Sequence, residues 1–184
     1  MEEKSTFWQS AMTYGFYLGV ATVLFSVILY AMGQNLNPSL TWLSYVIIAA
    51  GILISQRNYR NKELDGYISY GTALRFGVAA MLFAGIIQSL YTVILFRFID
   101  PTLLDQIRVM QEETMLQQGL PEESIEVATA MMSKFQSPAI IAISGLFSFA
   151  LLGFIISLAT SIIVKKHDEG NVFDEAMEEV QKEE

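Results

Sequence analysis

From Ser5 to Gln56 the chain carries no charged side chain, a run of about fifty residues where one membrane-spanning helix needs about 20. The run is interrupted by Gly33-Gln34-Asn35-Leu36-Asn37-Pro38-Ser39, a string of turn formers without Lys or Arg. Two spans folded back to back are therefore predicted, over about 8–32 and 40–56. The later charges are grouped so that Phe76 to Phe96 and Pro138 to Val164 stay apolar, which predicts two more spans over about 72–98 and 138–165. The pattern specifies an all-α polytopic membrane protein with four transmembrane helices. Between the third and fourth lies a polar insert, residues 100–137, and after the fourth an acidic tail, residues 167–184.

The insert has a helical pattern of its own. Asp100-Pro101 reads as an N-cap followed by proline at the first helical position, and Leu103, Ile107 and Met110 then share one face. Gly119-Leu120-Pro121-Glu122-Glu123 ends that helix and starts another, with acids in the new first turn. Ile125, Ala128, Met132 and Phe135 form the second apolar stripe. The expected product is a helical hairpin whose apolar faces meet each other or rest on the rim of the bundle. It serves either as a packed cap or as a docking surface with an acidic outer face.

Lys and Arg set the expected orientation. Arg57, Arg60 and Lys62 lie between the second and third spans, Arg75 just inside the third, and Lys165 and Lys166 close the fourth. This places both termini and the 57–62 loop on the cytoplasmic side, and the insert, with only Arg108 and Lys134, outside. Met1-Glu2-Glu3-Lys4 is not a net positive leader and the first apolar stretch is too long for a signal sequence, so that span is expected to remain.

A chain of 184 residues with four spans leaves room for one domain. Its net charge of −8 argues against nucleic-acid binding, which needs clustered Lys and Arg. With no cysteine there are no disulfides, thiolate metal sites or thiol nucleophiles. The single histidine, His167, sits among Lys165, Lys166, Asp168 and Glu169, where it suits a helix C-terminus better than a metal. The paired acids Glu112-Glu113 and Glu122-Glu123 read as solvated helix surface. No catalytic residue, cofactor site or metal site is expected.

Inside the membrane the small residues carry more information. Gly15 and Gly19 form a G-x-x-x-G element in the first span, Gly85 and Ser89 repeat the spacing in the third, and Gly153, Ser157 and Ser161 line one face of the fourth. These residues are expected at close helix contacts, within one bundle in preference to a homo-oligomer. No ionisable residue falls near mid-span; Arg75 and Arg97 stand at the ends of the third span, where they can reach the headgroups. Gln88 is the most polar mid-span residue, expected to bond a neighbouring helix through Thr22, Ser144 or Ser148. Its alternative role is a solute contact.

Several motifs together resemble a bacterial membrane family, DUF4199, a domain of unknown function. They are Tyr14-Gly15-Phe16-Tyr17-Leu18-Gly19, then Gly66-Tyr67-Ile68-Ser69-Tyr70-Gly71 with Ala73-Leu74, then Asp100-Pro101. The ending adds Gly153-Phe154-Ile155-Ile156-Ser157-Leu158, Lys165-Lys166 and Asn171-Val172-Phe173-Asp174. The resemblance implies four helical spans with a helical insert, in an inner membrane of Gram-negative type. It implies no activity and no site residue.

Two functions remain open. One is a non-enzymatic scaffold or accessory subunit, with the lipid bilayer as its setting and a protein partner bound by the insert or by a tail helix of Val172, Phe173, Ala176, Met177 and Val180. The other is binding or transport of a small neutral or amphipathic solute along Thr22, Ser26, Tyr30, Gln88, Ser89, Ser144 and Ser148.

Overall fold

The computed structural model describes residues 2–135 and 137–166. Among them six α-helices follow one another: α1 (Glu2–Ala31), α2 (Pro38–Glu63), α3 (Tyr70–Ile94), α4 (Leu103–Gln117), α5 (Glu122–Phe135) and α6 (Pro138–Val164). Helix α3 widens into a π-helical turn at Leu95–Ile99, where the Asp100 amide donates to the Leu95 carbonyl at 2.8 Å. The described residues hold no strand, only one antiparallel bridge between Ile68 and Lys166. Three stretches are long and apolar enough to cross a membrane, Thr6–Ala31, Tyr70–Ile99 and Pro138–Val164.

Local chemistry accounts for the helix boundaries. The side chains of Asn37, Ser69 and Ser137 accept backbone amides in the first turns of α2, α3 and α6, satisfying donors that a helix cannot satisfy internally. Proline follows Asn37 and Ser137, where its missing N–H costs nothing. Gly33 and Gly119 adopt φ of +65° and +75° and end α1 and α4, a conformation side chains rarely accept.

Contacts between named residues set the relative directions of the helices. Gly15 and Gly19 of α1 lie against Ala80 and Ala84 of α3, so these two run parallel. Met81 of α3 lies against Gly153 of α6, and the Ser89 hydroxyl donates to the Ala142 carbonyl, so that pair is antiparallel. Gln56 and Arg60 of α2 bond to Ser161 and Val164 of α6. Helices α2 and α6 therefore run together, opposite to α1 and α3, and the four make an up-down bundle. Residues 57–63, assigned by charge to a connection, continue α2 as helix because Tyr59 is buried and Arg60 is tied to α6.

The bundle has two buried layers. Near the Lys- and Arg-rich end, Tyr59 stacks on Phe76 with centroids 4.1 Å apart, and Phe7 and Tyr14 meet Phe76 edge-on. Deeper in, Leu18, Ile48, Ile52, Met81 and Ala84 form the second layer. The outer surface is apolar as well, with Leu24, Ile143, Phe147 and Ile162 exposed, as suits a lipid solvent. Helices α4 and α5 pack chiefly on each other.

Candidate functional site

The small residues of the spans sit where helices meet. A Cβ at Gly15 would lie 2.5 Å from the Ala80 carbonyl oxygen, and one at Gly19 would lie 3.1 Å from the Ala84 Cα. At Gly153 it would meet the Met81 Cβ at 2.5 Å, and at Gly85 the Leu146 and Phe149 side chains at 3.0 Å. Ser89 reaches Ala142 of α6 at 2.9 Å, and Ser157 and Ser161 are buried. Gly51 and Gly77 play the same part, the first against Leu18 and the second against Ser157 Oγ and Gln56 Nε2.

Gln56 is the polar centre that the charge pattern conceals. Its side chain is 0% exposed, and Nε2 donates to the Ala73 carbonyl at 2.9 Å and to Ser161 Oγ at 3.1 Å, tying α2 to α3 and α6. Gln56 Oε1, Ser157 Oγ and Thr160 Oγ1 are buried without a protein hydrogen-bond partner. A signal existed in the sequence: Ile48, Ile52, Gln56 and Tyr59 fall on one helical face, and all four are buried.

Gln88 lines a small, partly open cavity of about 200 Å³, with Thr22, Ser26, Ser44 and Tyr45 among its walls. Its Nε2 donates to Ser26 Oγ at 3.4 Å, and Oε1 is buried without a partner. Thr22, Ser144 and Ser26 itself each donate to a carbonyl of their own helix, and Ser148 is exposed. Of the polar residues expected along a solute path, the cavity gathers Thr22, Ser26 and Gln88. Ser89 turns to Ala142 and Tyr30 to Asp100. The volume falls below the roughly 300–1,000 Å³ of small-molecule pockets and suits a few waters.

A larger cleft of about 1250 Å³ opens at the Lys- and Arg-rich end, between the first turns of α1, the end of α2 and the outer face of α3. Arg75 and Lys166 stand in its polar part, with Trp8, Val78, Leu82 and Phe154 in its apolar part.

The opposite end carries the hairpin. There the Tyr30 hydroxyl donates to Asp100 Oδ2 at 3.2 Å, linking the end of α1 to the start of the insert. Asp100 Oδ1 accepts from the Thr102 hydroxyl at 2.6 Å and from the Thr102 amide at 3.1 Å. The Thr102 hydroxyl bond, helped by Tyr30 and backbone amides and opposed by desolvation, holds the Asp100 carboxyl below its ordinary value. Leu103 and Ile125 are buried, while Val109, Leu116, Val127, Met131 and Phe135 are exposed, Phe135 to 62%.

Among the described residues no three His, Cys, Asp or Glu side chains come together. His167 and the stripe Val172, Phe173, Ala176, Met177 and Val180 lie outside the described residues.

No curated protein and no solved structure matches the chain. One protein family does, over residues 13–166, which run from Thr13 within α1 through the rest of the bundle and the hairpin to Lys166. Its description is "Protein of unknown function (DUF4199)", and the chain belongs to that family.

Proposed function

We propose that this protein is a non-enzymatic membrane scaffold or accessory subunit of the cytoplasmic membrane, whose outward hairpin binds a protein partner. The observation that carries the reading is the exposed apolar surface of the hairpin, Val109, Leu116, Val127, Met131 and Phe135, on helices that pack chiefly on each other. Glu112, Glu113, Glu122, Glu123 and Glu126 border that surface, so laying it on anionic headgroups is unfavourable. A protein with an apolar centre and a basic rim fits it better.

The bundle supports the same reading. The parallel run of α1 and α3 supports reading α2 as a fourth span that returns the chain across the membrane between them. Arg57, Arg60, Lys62, Arg75, Lys165 and Lys166 at one end favour a cytoplasmic placement of that end. Solute binding keeps one specific argument, the unpartnered Gln88 Oε1 in its cavity.

Site-specific photocrosslinking in native membranes tests the proposal. A photoreactive residue at Val127 or Met131 should give one reproducible protein adduct, whether to a different chain or a second copy, and one at Gln118 should not. Lipid adducts alone from both apolar positions would contradict it.

A further inference from the structure

The cleft at the basic end has two unlike halves. One contains Arg75 and Lys166; the other is formed by Val78 and Leu82 of α3, flanked by Trp8 of α1 and Phe154 of α6. Helices α1 and α6 both pack on α3 with little contact between themselves, which leaves this stripe of α3 uncovered. From Arg75 to Leu82 the helix rises by roughly 10 Å at about 1.5 Å per residue, so the apolar half stays within one leaflet of a hydrocarbon core about 30 Å thick. Trp8, Leu82 and Phe154 are themselves exposed, so this half opens sideways toward lipid.

Arg75 Nε donates to the Gly71 carbonyl at 3.2 Å, and among the described residues its guanidinium pairs with no carboxylate. Lys166 Nζ sits 5.4 Å from the centre of the Tyr67 ring, at the edge of the same cleft. Among the described residues Glu63 is the one acidic side chain in the lining, against Arg75 and Lys166. A volume of about 1250 Å³ is large for a soluble metabolite, and a free anion would leave the apolar half empty.

We propose that this cleft is a binding site for one anionic phospholipid, with its phosphate at Arg75 and Lys166 and an acyl chain along Val78 and Leu82. A guanidinium suits a phosphate through paired N–H donors, and the Lys166 ammonium in the same cleft adds a second charge. The apolar stripe makes the occupant a lipid, and the two cations select an anionic one.

Native mass spectrometry of the purified full chain, titrated with phosphatidylglycerol or phosphatidylcholine in detergent, tests the site. One phosphatidylglycerol should bind with at least about tenfold preference, and Arg75→Gln with Lys166→Gln should remove that preference. Arg57→Gln with Lys62→Gln, at the same end but outside the cleft lining, should leave it intact. Val78→Trp, which keeps both cations and fills the apolar half, should weaken phosphatidylglycerol binding and so distinguishes a seated lipid from general attraction to charge. Equal binding of the two lipids would overturn the proposal, as would equal effects of the two charge-pair variants. Full competition by inorganic phosphate would replace the lipid with a soluble anion and overturn it too.

Discussion

Gln56 Nε2 donates to Ser161 Oγ at 3.1 Å, joining two residues 105 positions apart in the chain. Gly77 makes room for that bond, since a Cβ there would strike Ser157 Oγ and come within 2.8 Å of Gln56 Nε2. The Gln56 amide, the Ser161 hydroxyl and the bare Gly77 backbone thus bring α2, α3 and α6 together.

Gly77→Ala is accordingly expected to force α3 from α6 or break the Gln56 bond, at a cost of about 1–3 kcal/mol. Gly145→Ala is the control, because nothing lies within 4 Å of the added methyl. Thermal unfolding in detergent should show a lowered midpoint for the first and no loss for the second. Equal midpoints would remove Gly77 from the packing argument.

Gly15 and Gly19 meet the Phe83 and Ile87 side chains of α3 and also its backbone, at the Ala80 carbonyl oxygen and the Ala84 Cα, and the backbone cannot swing aside as a side chain can. Leucine at both should therefore lower the midpoint further than Gly77→Ala while leaving the monomer mass in detergent unchanged. A shift in oligomer size with an unchanged midpoint would instead assign these glycines to contacts between chains.

Apolar run length and the grouping of charge were enough to expect a helical membrane chain, and Gly119 marked the hairpin turn. Helix α4, by contrast, begins at Leu103 after Thr102 and not at Pro101 after Asp100, because Asp100 accepts from the Thr102 amide and hydroxyl ahead of the helix. Gln56 was hidden because it stands beside Arg57, where polarity reads as the end of a span, and because its partners Ala73 and Ser161 converge only in the folded bundle. The partner of Gln88 was misplaced for a related reason. Thr22, Ser26 and Ser144 all donate their hydroxyls to carbonyls one turn back, so hydrogen-bonding capacity does not single out a partner; the Ser26 oxygen is the one the folded bundle brings within reach of Gln88 Nε2.

Gln88→Leu is expected to cost about 1 kcal/mol or less, since the Ser26 bond is long at 3.4 Å and membrane interhelical hydrogen bonds are modest. Thermal-shift screening of the purified protein should find no saturable ligand whose effect vanishes in this variant. Such a ligand would promote solute binding over the scaffold.

Asp100 gives the hairpin junction a pH dependence. Its carboxyl is held below the ordinary value of 3.8, so its stabilising effect is complete above that pH and is lost as pH falls through the folded-state value. Asp100→Asn should unfold earlier than the parent at neutral pH, and the difference should shrink as the solution is acidified below 3.8. A difference that grows on acidification would mean that the carboxylate is not favoured by Thr102 and Tyr30.

The proposed bundle has four spans, its basic end inside and its hairpin outside. The cysteine-free chain permits single cysteines at Asn35, Asn61 and Gln118 to be probed in intact cells with a membrane-impermeant thiol reagent. Asn35→Cys and Gln118→Cys should label before lysis and Asn61→Cys only after it, because α2 separates Asn35 from Asn61 and α3 separates Asn61 from Gln118. Labelling of Asn35→Cys and Asn61→Cys from the same side would contradict a spanning α2, and labelling of Gln118→Cys only after lysis would contradict the outward hairpin.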